Sequence, residues 1–298
     1  MTNAVIFIIL IIEEKTEKVK RKKRGNTKMK DKFGKDTEGL YEKRLFLLDM
    51  DGTLYLGDRL FPATKPFLSE IRRRGGRYMF ITNNSSRGVS DYVKKLTRLG
   101  IPDVTEEDFF TSADAAALLF LEKYKDTLIY VQGTRSFVAS LVSAGLTVTE
   151  TPSDEVGAVL VGYDTELTAK KMEDTCRLLT EKELPYYATN PDWVCPTEFG
   201  YVPDCGSMCE GYFRATGKRP VFIGKPAPDM IEIVLEKLGV KKEDAVVVGD
   251  RLYTDIASGV AAGVDTVCVL SGEVTFDEVK ESDIRPTYTL DGVEDIYR

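Results

Sequence analysis

Histidine is absent from this chain of 298 residues. Its absence excludes Ser-His-Asp and Cys-His catalysis and every histidine-ligated metal site, so carboxylates and lysine must carry any acid–base or nucleophilic chemistry. Cysteine is scarce: Cys176, Cys195, Cys205, Cys209 and Cys268 are an odd number with no repeated C-x-x-C. Cys205 and Cys209 could share a helix face, but a zinc site needs four nitrogen or sulfur ligands. Buried, reduced thiols are the better reading, and they point to a reducing, cytoplasmic setting. Long apolar runs are missing too. Ala4 to Ile12 gives nine residues, well short of the ~20 needed to span a bilayer. As a signal segment it lacks both a positive start and a small-x-small cleavage site. There is a single tryptophan, Trp193.

What is present is a soluble composition, 43% apolar and 30% charged, with ample length for one large domain or two ordinary ones. Charge is unevenly placed. Residues 1–35 carry a net charge of +7, which leaves −14 for the rest because the total is −7. An acidic body does not suit nucleic acid. It suits a small anionic substrate only where a metal ion and local donors overturn the field. The basic segment 1–35 is read as a disordered, dispensable extension, preferred over a weak membrane-surface anchor or a start codon assigned upstream of Met29. The folded body is expected to begin near Tyr41.

Along that body the elements alternate. Leu45–Leu48 is an unbroken apolar run, as expected of a strand buried on both faces of a parallel sheet. Pro66–Arg74 reads as a short helix, Tyr78–Thr82 as a strand, Val89–Leu99 as a helix and Asp108–Ser112 as a third strand. This β-α-β-α-β order is that of a doubly wound sheet. Four apolar pieces follow between Ala113 and Asp204, separated by helical segments near 136–144 and 168–180, enough for a small α/β domain of their own. Met208–Gly217 reads as a helix resuming the first unit. Asp229–Leu238 is an amphipathic helix closed by Gly239, and Val246–Gly249, Ala257–Ala262 and Thr266–Leu270 form a further β-α-β unit. The expected fold is therefore α/β, a Rossmann-like doubly wound parallel sheet over 36–112 and 205–298, with an inserted α/β cap over 113–204.

The chemistry concentrates where the first strand ends. Asp49 and Asp51 sit two residues apart, so in extended chain they share a face, and Gly52 lets the backbone turn. Ligands in open α/β sheets bind beyond the carboxyl ends of the strands. Two carboxylates so close are costly unless a cation lies between them or one stays protonated. An Asx turn closing a loop is the bland alternative.

The full Asp49-Met50-Asp51-Gly52-Thr53 run resembles the first motif of the haloacid dehalogenase-like hydrolases. Thr82-Asn83-Asn84 after its strand is similar to their second motif, and Lys225 in Gly224-Lys225-Pro226 to their third. Asp250 after Val246–Gly249, with Asp255 five residues on, is similar to their fourth. Thr189-Asn190-Pro191-Asp192 and the Gly-Lys-Pro-x-Pro run bring the chain nearest to the NagD-like, 4-nitrophenylphosphatase branch. The resemblance runs from about Leu45 to the C-terminus.

That resemblance implies a phosphatase of small phosphate monoesters acting through an aspartyl-phosphate. Asp49 would be the nucleophile and Asp51 the general acid and base, oriented by Thr53 in the phosphate-binding loop. Mg²⁺ would be held by Asp49, the backbone carbonyl of Asp51 and Asp250, with Asp255 behind them contacting metal waters or Lys225. Thr82, Asn83, Asn84 and Lys225 would bind the phosphoryl oxygens. The cap, with the Asn190–Asp204 segment and Trp193 folded over the leaving group, would set the substrate. The expected partner is a small phosphorylated metabolite, with neither nucleic acid nor membrane involved; a homodimer is compatible with the chain. Three rivals remain. A dehalogenase would need neither Asp51 nor Asp250. A phosphonatase would need a cap lysine such as Lys170, Lys171 or Lys182. A non-catalytic phospho-acceptor or phosphate-binding regulator also orders Asp, Thr and Lys, but lacks the large insertion.

Overall fold

A computed structural model describes residues 29–197 and 199–297. Six parallel strands form the main sheet, in the spatial order Tyr288–Leu290, Asp265–Val269, Ala245–Gly249, Leu45–Leu48, Arg77–Thr82, Phe109–Thr111. Counted along the chain this is the Rossmann order, reversed in direction between Leu45–Leu48 and Ala245–Gly249. Open sheets place ligands at that switch point. The register brings Leu48 level with both Val248 and Phe80, so Asp49, Asp250 and Thr82 all emerge at one edge. All four residues of Leu45–Leu48 are buried, as are all five of Ala245–Gly249, which explains why both strands read as continuous apolar runs.

A second sheet of five parallel strands runs Val221–Phe222, Tyr186–Ala188, Val156–Val161, Leu128–Gln132, Val148–Thr149. Its extent differs from the expected insertion at both ends. Ser112–Lys123 is a helix that packs toward Asp229–Leu238 of the main unit. Helix Cys205–Thr216 and strand Val221–Phe222, expected in the main sheet's unit, belong with the second sheet instead. A two-residue strand carries too little pattern to announce its sheet. Between the two sheets there is no apolar gap. One cluster joins Leu45, Leu47, Met79 and Ile81 to Ile129, Val131 and Leu160 by way of Ala116 and Phe120.

Two hairpins stand outside the sheets. Tyr55–Leu56 pairs with Arg59–Leu60 immediately after the Asp-Gly-Thr turn, and Val194–Thr197 pairs with Gly200–Pro203. The second replaces the loop expected over Asn190–Asp204, and Trp193 beside it is 54% exposed.

The body also begins earlier than Tyr41. Asp31 is buried, its Oδ1 accepts the Phe33 and Lys35 N–H groups at 2.9 and 2.8 Å, and its Oδ2 accepts the Thr289 N–H at 3.1 Å. Residues 29–35, expected in the extension, are thus docked on the last strand, because Asp31 has three backbone donors to satisfy it. Residues 1–28, including Ala4–Ile12, lie outside the described residues. Among the described residues no helix is long and apolar enough to cross a membrane.

Candidate active site

Asp49 leaves the central strand with its N–H donating to Val248 O at 2.9 Å. Its Oδ1 accepts Lys225 Nζ at 2.9 Å, and the same ammonium donates to Ile81 O at 3.1 Å and Asp255 Oδ1 at 2.5 Å. Lys225 is thus a buried cation held between two carboxylates, with its side chain 4% exposed. Burial by itself would lower its ammonium, yet Asp255 and Asp49 raise it above its ordinary value. Burial pushes Asp49 well above the usual carboxylate range; Lys225 pulls it back and the Asp255 and Asp250 charges add to the rise.

Asp250 follows its strand and is 2% exposed. Its Oδ2 accepts the Glu273 N–H at 2.7 Å, whereas its Oδ1 is buried with no hydrogen-bond partner. Burial first, and then Asp255, pushes its carboxyl up to about 7. A π-helical turn over Leu252–Ile256 brings Asp255 back under the strand end, where it also accepts the Arg251 N–H at 3.2 Å. Ligand oxygens of Asp49, Asp250 and Asp255 lie within 4.8 Å of one another. Three clustered carboxylates, two of them paired with the Lys225 ammonium and the third, Asp250, with an orphaned buried oxygen, form an all-oxygen donor set short of positive charge. Such a set fits a hard divalent cation of the Mg²⁺ or Ca²⁺ kind. Gly52 at φ +84° passes so close to Asp250 that a Cβ there would overlap Oδ2, so the turn after Asp51 needs glycine for conformation and for room.

Asp51 has a cationic partner of its own. Its Oδ2 lies 3.8 Å from Lys95 Nζ, which itself sits 3.9 Å from the centre of the buried Tyr55 ring. Burial raises the Asp51 carboxyl, while Lys95, Arg251 and the Gly57 backbone lower it. The two aspartates thus have different cationic partners, Lys225 for Asp49 and Lys95 for Asp51. Thr53 is fully buried and its hydroxyl has no partner, so it neither orients Asp51 nor opens toward a ligand.

The second motif divides its labour. Thr82 Oγ1 accepts the Asn84 N–H at 3.2 Å, and Asn84 Oδ1 accepts the Ser86 N–H at 3.0 Å, which folds the turn. Asn83 points inward: its Oδ1 accepts the Lys225 N–H at 2.8 Å and its Nδ2 donates to Lys225 O at 2.9 Å and Asp192 Oδ2 at 3.0 Å. A fully engaged amide is not free for a phosphoryl oxygen, contrary to the sequence expectation for Asn83. Gly57, whose backbone bonds to Asp51, lines a cleft of about 490 Å³ between the two hairpins together with Leu56, Asp58, Arg59, Pro196 and Thr197. Lys95, Arg251 and the first hairpin were not singled out from sequence, and Asp192 only as part of the Thr189-Asn190-Pro191-Asp192 run, without a role. Arg251 had a signal in its place directly after Asp250; Lys95 had none beyond its helix.

Two family models match the chain, haloacid dehalogenase-like hydrolase over residues 46–147 and HAD-hydrolase-like over residues 222–296. An acid sugar phosphatase of Staphylococcus haemolyticus is 35% identical over 245 residues, 82% of this chain and 92% of that protein. Among solved structures, a 4-nitrophenylphosphatase from Thermotoga maritima superposes with a TM-score of 0.81 at 35% identity, covering 87% of this chain and 98% of that one. A glycerol phosphate phosphatase from Mycobacterium tuberculosis, solved in complex with magnesium, gives 0.81 at 29% identity over 87% of this chain and 78% of its own. The chain belongs to the haloacid dehalogenase-like hydrolases, in their NagD-like and 4-nitrophenylphosphatase branch, and is a phosphoric monoester hydrolase.

Proposed function

We propose that this protein is a Mg²⁺-dependent phosphatase of small phosphate monoesters that works through a phosphoryl group transferred to Asp49. The observation that carries the reading is the Asp49–Lys225–Asp255 ion cluster beside the orphaned oxygen of Asp250. Asp49, the backbone carbonyl of Asp51 and Asp250 would hold the ion, with Asp255 in reach. When bound, the ion would neutralise charge on the phosphoryl oxygens and let an anionic nucleophile approach an anionic substrate.

Asp49 supplies an oxygen nucleophile at the carboxyl end of a rigid strand, already aimed by Lys225. Its attack forms the Asp49 Oδ–P bond and breaks the P–O bond to the leaving group. The proton for the departing alkoxide comes from Asp51, whose raised carboxyl suits it to donate, and the carboxylate so formed then takes a proton from the water that attacks phosphorus. The second step restores Asp49 and releases inorganic phosphate, so the cycle closes. Lys225, Thr82 and the amide of Asn84 would bind the phosphoryl oxygens, while Asn83 serves from behind. The hairpin cleft beside Asp51 is where the leaving group would lodge, and sugar phosphates and glycerol phosphate are the first classes to try, since similar proteins carry those names. An expected cytoplasmic setting accords with such metabolites.

The test is chelation followed by metal return. EDTA should abolish hydrolysis of 4-nitrophenyl phosphate and Mg²⁺ should restore it. Ca²⁺ should bind yet support little turnover, because its longer and looser coordination misplaces the nucleophile. Full activity in exhaustively chelated enzyme would refute the metal assignment.

A further inference from the structure

Asp192 lies on the segment returning from the second sheet, 2% exposed, and sits on none of the four motifs. Its Oδ2 accepts two amide donors, Asn83 Nδ2 at 3.0 Å and Asn190 Nδ2 at 2.7 Å. Asn83 uses its remaining groups on both sides of Lys225, accepting that residue's N–H and donating to its carbonyl. Gly224 makes room for this clamp, since a Cβ there would overlap Asn83 Oδ1. The other oxygen of Asp192 has no hydrogen-bond partner and lies 3.7 Å from Arg251 Nη1, while Arg251 Nε is 2.8 Å from Glu273 Oε2. Glu273 N–H in turn holds Asp250. One buried carboxylate therefore touches the chain of contacts behind Lys225 and, through Arg251 and Glu273, the chain behind Asp250.

We propose that Asp192 is a positioning residue for the phosphatase reaction: it locks the Asn83 amide, which fixes the Lys225 backbone and so aims the ammonium at Asp49. Asn83 can turn its amide about the final torsion, and an amide flip would put a donor opposite the Lys225 N–H and an acceptor opposite its carbonyl. Asp192 forbids the flip because a carboxylate accepts only, so Nδ2 must face it. Arg251 balances the charge that this acceptor buries. The proposal rests on the assignment of Asp49 and Lys225 to chemistry, but its structural half can be measured without turnover.

The experiment uses the full chain with Mg²⁺. Asp192→Ala should lower kcat for 4-nitrophenyl phosphate at least tenfold while KM moves less than threefold, because the misplaced lysine matters most during attack. Asn83→Ala should lose a similar factor, and the double variant should be no more than twofold worse than the poorer single one, as expected for one chain of contacts. Asp192→Asn, which keeps one oxygen for both amide donors, should recover at least a third of wild-type kcat. Hydrogen exchange should be at least tenfold faster in the segment 223–229 of Asp192→Ala, with the strand Val156–Val161 unchanged. If the alanine variant does not fold, Asp192→Ser, too short to reach either amide but readily solvated, carries the same expectations. A kcat within twofold of wild type in a folded Ala or Ser variant, losses that multiply in the double variant, or unaltered exchange around Lys225 would each overturn the proposal. Altered exchange with normal kcat would place the fault in the role given to Lys225 rather than in the clamp, and would overturn the catalytic half.

Discussion

At the scale of single residues the two aspartates of the first motif have different surroundings and should fail differently. Asp49→Asn keeps shape but removes the proposed nucleophile, so turnover and phosphoenzyme should both vanish. Asp51→Asn leaves Asp49 and Lys225 in place. General acid–base assistance is worth roughly 10²–10⁴ in rate, so alkyl phosphates should suffer far more than 4-nitrophenyl phosphate, whose leaving group needs no proton. Rapid quench of that variant with labelled substrate should trap label on Asp49; equal loss on both substrates with nothing trapped would refute the division of roles. Gly52→Ala should cost nearly all activity, through both the clash with Asp250 and the positive φ. A pH effect belongs to Asp204, the buried acid before helix Cys205–Thr216. Burial, and then Asp192, raises its carboxyl from 3.8 to about 7. Since the folded value exceeds the unfolded one, its contribution is intact below about pH 4 and is lost as pH rises through about 7. At ~1.4 kcal/mol per unit the loss is at most about 4 kcal/mol. Chemical denaturation at pH 5 and pH 8 should show Asp204→Asn gaining on wild type at the higher pH, and a constant difference would contradict it.

At the scale of elements, helix Ser112–Lys123 is what makes two sheets share one core. A hydroxyl-headed start with Asp114 three residues after Thr111 forms a capping box there, a local signal that was present in the sequence but masked by the alanine-rich, weakly amphipathic run that follows. Phe120 is fully buried, with Tyr187 of the second sheet 5.3 Å away between ring centroids. Phe120→Ala should cost about 3–5 kcal/mol, read as a lower Tm with kcat unchanged. A loss below 1 kcal/mol would mean that the two sheets do not depend on this contact. The hairpins were illegible for a different reason: each strand is two to four residues long, and pairing across a short turn leaves almost no alternation to detect.

At the scale of the whole molecule, the N-terminal boundary separates two truncations. Removing residues 1–28 deletes no motif, and kcat and Tm should hardly change. Removing 1–36 also takes away Asp31, whose Oδ2 accepts the Thr289 N–H, and Lys32, whose N–H donates to Thr289 O; at ~1 kcal/mol per net hydrogen bond the loss should cost about 1–3 kcal/mol. Equal Tm values for the two truncated proteins would show that the docking of 29–35 on the last strand contributes nothing. The surface pair Lys32–Asp291 adds little to that difference, being half in solvent.

Sequence alone determined the parallel main sheet and the place of Asp49 and Asp250 at the ends of its strands. Buried parallel strands read as unbroken apolar runs, and a carboxylate directly after such a run must emerge at the strand end. The tertiary structure alone decided which way those groups point and what holds them. Asn83 meets Asp192 across 109 residues and Lys225 across 142, and Lys95 reaches Asp51 only because a helix packs over the first turn. Such contacts follow from how strands align and helices pack in space. They impose no period on the chain, so a side chain that binds substrate and one that braces its neighbour look alike until the fold brings them together.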